Sequence, residues 1–466
     1  MKITVNSQVK VEYPSTDLIL WCRKNLIVDN PDYIKKVRMN KWVGNTPEKL
    51  HLYQKFGETL LLPYGCLKKV VTLMDGTDSI AVEIIPHSYI EYNCDVPLYD
   101  YQEEAVAAAI KAQYGILQAP AGSGKTQMGI AMAAKIGKPT LWLTHTHDLL
   151  MQSKERAEQY MNASWIGTIT EGKVNIGSGI TFATVQTMCK LDLRQYKDLW
   201  DTVIVDECHR VAGTPTAMTQ FSKVLNALEA RHKYGLSATV HRADGMIKAT
   251  YAMLGNIVWT VPEEAVAEKI MTVSILPRPT GIQISSDVLD TDGTIVYARL
   301  VNWLCANKER NDIILADLVD NWDHYNLILS DRLSHLTYLI EHLPEELRDY
   351  AVMVDGKMTS KKQKDERAKA LEDMRAGRKR YLFATYSLAK EGLDIPRLDR
   401  LYLTTPQKDY AVVAQSVGRI ARAFEGKGEP VVYDYVDNRM QYLLRSYKRR
   451  CTTYNKLKCT YLEDNK

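Results

Sequence analysis

The stretch APAGSGKT, residues 119–126, constrains this chain more than any other. It lies between an apolar run, YGILQ, and a helix-like run, QMGIAMAAKI. A glycine-bearing turn that leads from a strand into a helix is the setting of a phosphate-binding loop. Gly122 and Gly124, on either side of Ser123, let the backbone approach phosphate oxygens with its N–H groups turned inward. The helix that begins near Lys125 adds the positive end of its dipole. Lys125 is expected to neutralise the β and γ phosphates of a nucleotide, and Thr126 to ligate Mg²⁺. Ala119 stands where the usual G-x-x-x-x-G-K-[ST] pattern has its first glycine.

Such a loop commits its surroundings to an α/β fold. From residue 97 to 262, short apolar runs alternate with helical patterns: YGILQA, PTLWLT, ITFAT, TVIVDE and YGLSAT. Each run ends in small or polar residues, as in a parallel sheet with crossover helices. In that architecture, ligands gather at the carboxyl ends of the strands. The alternation resumes at 312–440 with NLILS, YAVMV, RYLFAT, RLYLTT and PVVYDYV, so a second α/β unit is predicted. Residues 263–311 are expected to bridge the two, with a tight turn at TDG, 291–293. Residues 1–96 are expected to form a small mixed α/β accessory domain, a candidate for DNA binding. KITVNSQVKVEY in it alternates like a strand, and Ser15 caps a helix. Residues 441–466 form a basic tail that reads as an exposed terminal helix. With 466 residues, two to four domains are the expectation.

Further chemistry gathers around the first unit. TVIVDECHR delivers two carboxylates at the end of a strand. Asp206 is expected to hold Mg²⁺ through its water shell, and Glu207 to orient and deprotonate an attacking water. Upstream, in LYDYQEEAV, Gln102 offers an amide to an adenine edge, and Tyr99 or Tyr101 offers a ring for stacking. A plain amphipathic helix start explains Tyr101 and Gln102 equally well. Near the end of the second unit, QSVGRIAR holds Arg419 and Arg422 three apart, a spacing that places both on one face of a helix.

The P-loop, DECH and LSAT in this order, followed by a second α/β unit ending in QSVGRIAR, resemble the superfamily 2 helicases. The DECH variant resembles DExH proteins. QSVGRIAR is similar to the last motif of the branch that holds XPB-like proteins, UvsW-like proteins and the helicase subunits of type III restriction enzymes. HRADG, after LSATV, resembles an Arg-Glu-Asp motif, with Ala243 in place of the Glu. The first block, from MNKWVG onward, is similar to N-terminal regions that precede phage and mobile-element helicases. The resemblance implies two tandem RecA-like parallel-sheet domains with ATP and Mg²⁺ as cofactors. It implies that Gln102 reads adenine, that His209, Ser237 and Thr239 couple the nucleotide state to a bound strand, and that Gly392 and Asp394 line the nucleotide cleft. Gln415, Arg419 and Arg422 would then face the γ-phosphate from the second unit. Thr146, Thr184, Gln186 and Thr385 would face a nucleic-acid backbone.

The expected partner is DNA (single-stranded, duplex or branched), moved along or remodelled at the expense of ATP, with 3′ to 5′ movement implied by the resemblance. An RNA-stimulated DExH helicase and an ATPase subunit of a restriction or nuclease assembly stay open as alternatives, because backbone contacts alone do not distinguish DNA from RNA. The net charge of +4 neither demands nor excludes nucleic acid, so a basic surface would be local. The 8 cysteines form no C-x-x-C pair, which fits a reducing compartment. No apolar run is long enough to span a bilayer. A cytoplasmic monomer is the expectation.

Overall fold

The computed structural model describes residues 1–462, apart from 93, 121, 213–214, 239–245, 263, 266–270, 284, 356–360, 391–392 and 394. The chain divides into two compact units, Met1–Ala265 and Val266–Lys466.

The first unit holds two large sheets. KITVNSQVKVEY folds not as one strand but as an antiparallel hairpin, Lys2–Val5 with Gln8–Glu12, and its alternation buries Ile3, Val5, Val9 and Val11. Across that five-stranded sheet the order is Gln54–Phe56, Thr59–Pro63, Gln8–Glu12, Lys2–Val5 and Ser79–Val82. Ser15 caps the helix Thr16–Asn25 by accepting from Leu18 N–H at 3.3 Å. The core under this sheet does not close on itself. Met218, Met246, Ala249 and Ala252, which follow the P-loop in sequence, are buried in it. Gly65 lies so close to the end of the helix Ile247–Leu254 that a Cβ there would meet Gly255 N at 2.3 Å. The block at 1–96 thus has a sheet of its own but shares its core with the unit that follows.

The second sheet of this unit has eight strands in the order Lys173–Asn175, Ile166–Thr170, Ile180–Thr184, Thr140–Thr144, Thr202–Val205, His232–Ser237, Tyr114–Gln118 and Ile257–Thr260. All five expected runs are strands, and every pairing is parallel except the edge pair Ile166–Thr170 with Lys173–Asn175. TLWLT, ITFAT and TVIV are buried throughout, as a sheet covered on both faces requires. The order sets His232–Ser237 between the strand that enters the P-loop and the strand that ends in Asp206 and Glu207.

The second unit is a seven-stranded, all-parallel sheet in the order Ala351–Val354, Tyr381–Thr385, Asn326–Ser330, Arg400–Leu403, Val431–Val436, Ser274–Pro279 and Thr460–Tyr461. Two sequence expectations change here. The bridge at 263–311 supplies Ser274–Pro279, which pairs with Val431–Val436 along its full length. Its TDG does form a turn, with Leu289 and Ile295 bridged across it. The tail at 441–466 is built into the unit. Its helix Gln441–Lys456 buries Arg450 against Asp434 at 2.7 Å, Tyr454 donates to the same carboxylate at 2.7 Å, and Thr460–Tyr461 adds an edge strand. The basic count of the tail concealed an arginine whose charge is matched inside.

Candidate active site

The strand Tyr114–Gln118 enters the loop, and the helix Lys125–Ile136 leaves it. Gly122 and Gly124 have φ of 84° and 78°, the left-handed region that a Cβ disfavours. At Gly124 space forbids a side chain as well, since a Cβ would meet Gln102 Nε2 at 2.4 Å. Ala119 is not among the left-handed positions, so its methyl group costs the loop nothing. It is buried, and its N–H donates to Ser237 O at 2.9 Å. Ser123 is buried, with its hydroxyl on Pro120 O at 2.7 Å.

The helix Asp100–Ala112 braces this loop. Gln102 Oε1 accepts from Tyr99 N–H at 2.9 Å, and its Nε2 donates to Ser123 O at 2.7 Å. The amide read from sequence as an adenine contact is therefore engaged at both ends by protein backbone and is buried. Tyr101 donates to the same Ser123 carbonyl at 3.2 Å, and its ring stacks on the half-exposed Tyr99 ring at 6.0 Å.

Three strand ends bring the charged groups together. Lys125 Nζ lies 4.0 Å from Glu207 Oε1 and 3.5 Å from Ala119 O. Asp206 is buried; it accepts from Glu207 N–H at 2.9 Å and from Ser153 Oγ at 3.4 Å. Burial, followed by the charge of Glu207, pushes the Asp206 carboxyl upward. Burial works against the charge of Glu207 too, but Lys125 and then His209 outweigh it and hold that carboxyl down. Glu207 has φ of 48°, unusual for a side chain of its size. His209 Nδ1 sits 3.2 Å from Glu207 Oε2 and 3.0 Å from Ser237 Oγ, so one imidazole nitrogen faces both. Thr126 is half-buried in the first turn of the loop helix. Ser153 is the participant that sequence reasoning missed: a lone serine inside a helix carries no signal until the fold sets it against Asp206.

Thr146, Thr184 and Gln186 lie at or just beyond carboxyl ends of strands of this sheet, and each has a partner within the protein. Thr146 caps the helix His147–Glu158, Thr184 pairs with Thr187 at 3.0 Å, and Gln186 donates to His145 O at 2.6 Å. In the second unit, Thr385 ends the strand Tyr381–Thr385 and pairs with Ser387 Oγ at 2.8 Å. Gln415 and Arg419, one turn apart, belong to the helix Tyr410–Ile420. That helix ends before Arg422, with Ala421 as its cap, so the shared helical face expected for the two arginines is not formed. Instead the ammonium of Lys427 gathers the carbonyls of Ile420, Arg422 and Pro396 at 2.7, 2.7 and 3.1 Å and fixes the turn that carries Arg422. Thr239, Gly392, Asp394 and the HRADG segment lie outside the described residues.

Residues 95–242 match the family model of the type III restriction enzyme res subunit, and residues 311–424 match the helicase conserved C-terminal domain. The protein named "Probable helicase D10" of Escherichia phage T5 is 30% identical over 326 residues, spanning 69% of this chain and 67% of the phage protein. The chain is a superfamily 2 helicase. Within that superfamily it is of the XPB and type III restriction type, an ATP-hydrolysing enzyme. The DNA 3′-5′ translocase XPB2 of Sulfurisphaera tokodaii is 25% identical over 364 residues, spanning 70% of this helicase and 79% of the archaeal protein. Dbp5 of S. cerevisiae has the same two-domain fold, with a TM-score of 0.55 at 15% identity over 79% of this helicase and 94% of Dbp5. No helix among the described residues is long and apolar enough to cross a membrane.

Proposed function

We propose that this helicase hydrolyses ATP to move along or remodel DNA in the 3′ to 5′ direction, acting as a monomer. One observation carries the reading: Glu207 lies between Lys125 and His209, and His209 reaches on to Ser237. A group placed to activate water is thereby tied to the end of the strand His232–Ser237. Asp206 and Thr126 would hold Mg²⁺. One carboxylate and one hydroxyl suit an ion that takes its remaining ligands from water and phosphate oxygens. Among the described residues no cluster of three or more acidic, His or Cys ligands occurs, so water and phosphate would complete its shell. The ion would supply charge neutralisation at the phosphates.

The protein's own groups then divide the work. Backbone N–H groups of the loop and Lys125 bind the phosphates. Glu207, kept ionised by Lys125 and His209, takes the proton of the attacking water. Gln415, Arg419 and Arg422 act on the γ-phosphate, and Gly392 and Asp394 on the nucleotide. Loss of that phosphate changes what Ser237, Thr239 and His209 hold, and through them the grip of Thr146, Thr184, Gln186 and Thr385 on the strand. The test is ATPase rate with single-stranded, duplex, forked and four-way-junction DNA and with matched RNA, at one salt concentration, because phosphate binding falls steeply with salt. Stimulation by DNA over RNA supports the reading. Equal or greater stimulation by RNA overturns the DNA assignment, and absence of any stimulation overturns nucleic-acid coupling.

A further inference from the structure

At the seam between the N-terminal sheet and the ATPase sheet lies an open groove of about 880 Å³. Lys68, Lys69, Lys111 and Lys248 reach it from three different helices, and Trp21 and Tyr251 line it from two. No acidic side chain lines it, and none of the four ammonium groups has an ion-pair partner among the described residues. Four like charges left facing one groove repel one another unless an anion joins them.

The groove is already formed. Tyr64 OH donates to Arg231 O at 2.8 Å across the seam, Lys233 Nζ donates to Ser7 O at 2.9 Å, and Gly65 sits against the backbone of Gly255. These contacts hold its two sides together. The charges are spread over separate helices, so a single phosphate would not engage them all, whereas a chain of phosphates would. The two aromatic rings suit unstacked bases, which a duplex keeps within its own stack. Lysines that track a backbone beside rings that take bases form the usual platform for a single strand.

The groove is also remote from the site already described. Tyr114, in its wall, begins the strand that reaches the P-loop at its other end. Lys111 lies nine residues beyond Gln102 on one helix, roughly 14 Å at 1.5 Å per residue. Thr146, Thr184 and Gln186 lie at carboxyl strand ends, whereas Tyr114 and Ile257 open their strands at the opposite edge.

We propose that this groove is a second nucleic-acid site, which holds a single strand with its phosphates on Lys68, Lys69, Lys111 and Lys248 and bases against Trp21 and Tyr251. The proposal rests on the reading of the protein as nucleic-acid-directed. The test uses the full chain carrying Lys68→Ala, Lys111→Ala and Lys248→Ala together, with fluorescent oligothymidine and a duplex of equal length titrated at several salt concentrations. Binding of oligothymidine should weaken about tenfold or more, with the salt slope reduced by about 3, roughly one for each lysine replaced. Duplex binding and ATPase activity without nucleic acid should change less than about twofold, since the P-loop is untouched. Photocrosslinking of iodouridine-substituted strands to the wild type should label Trp21 or Tyr251. Unchanged oligothymidine binding and slope in a wild type that does bind, or an equal loss for duplex, overturns the groove while leaving the ATPase reading intact. A wild type that binds no oligonucleotide and shows no stimulated hydrolysis overturns both.

Discussion

His209 Nδ1 lies 3.0 Å from the hydroxyl of Ser237, the last residue of the strand set between the P-loop strand and the acid strand. The carbonyl of Ser237 takes the N–H of Ala119 at 2.9 Å, so this residue touches the loop that binds phosphate and the imidazole beside Glu207. Ser237→Ala removes only the hydroxyl link, worth about 1 kcal/mol. Hydrolysis without nucleic acid should stay within about threefold, while the stimulated rate falls toward it. A stimulated-to-basal ratio equal to that of wild type would refute the coupling role.

Glu207 combines a catalytic assignment with a left-handed backbone. Glu207→Gln should lower single-turnover hydrolysis by about 10² to 10⁴ with nucleotide affinity retained. Glu207→Gly should be equally inactive, yet unfold at the same or a higher urea concentration. It relieves a backbone cost of about 1–2 kcal/mol and removes one of two adjacent carboxylates. A clear fall in the urea midpoint would mean that Glu207 supports the fold rather than the reaction.

Gly124→Ala places a Cβ against Gln102 Nε2, at a φ of 78°. The loop and the helix Asp100–Ala112 must separate to admit it. Nucleotide binding, followed by fluorescence of an ATP analogue, should be lost, and stability should drop by about 1 kcal/mol or more. Adding Gln102→Ala should restore part of the stability, because it removes the atom that the methyl group strikes. No recovery in the double variant would show that backbone conformation alone sets the requirement.

For the two arginines of QSVGRIAR, Arg419→Ala and Arg422→Ala are each expected to reduce hydrolysis by about 10³, with ATP affinity changed little, as for an arginine that acts on the transferring phosphate. Arg422 stands beyond the helix end, on the turn that Lys427 fixes, so Lys427→Met should weaken hydrolysis through Arg422 and spare the effect of Arg419. If Arg419→Ala hydrolyses ATP at the wild-type rate, the assignment of this motif to the γ-phosphate fails.

Lys233 links folding to pH. Its ammonium is fully buried between Ser7 O and Leu225 O, each at 2.9 Å, and burial pushes its pKa down to about 7. The unfolded chain keeps this proton up to about pH 10.4. Between the two values the unfolded state binds more protons, so stability rises with pH. The contribution is full above the unfolded value and is lost as pH falls toward 7. Urea midpoints at about pH 7 and about pH 9 should differ more in wild type than in Lys233→Met. Equal differences would show that the lysine stays charged in the fold.

Much of this was legible in the sequence because the signals were local. A buried parallel strand announces itself as a continuous apolar run, and all five runs in each unit became strands. Gly122, Gly124 and Lys125 were readable because phosphate binding needs those residue types in a fixed order. Relations that depend on distant partners were not. Gln102 looks like a free amide until Ser123 arrives from 21 positions away. Arg450 looks like one more tail charge until Asp434 is placed beneath it. Ser274–Pro279, with its two prolines, lacks the composition of a strand and becomes one because Val431–Val436 offers an unpaired edge.

The seam at Gly65 and Gly255 has a mechanical consequence. Two backbones meet there without room for a methyl group, and Ala249 and Ala252 would be stripped of cover if residues 1–96 were removed. At that point of the seam a side chain on Gly65 would collide with the backbone of Gly255. The N-terminal sheet and the ATPase sheet bury Ala249 and Ala252 in common, so displacing one from the other would expose that shared apolar surface.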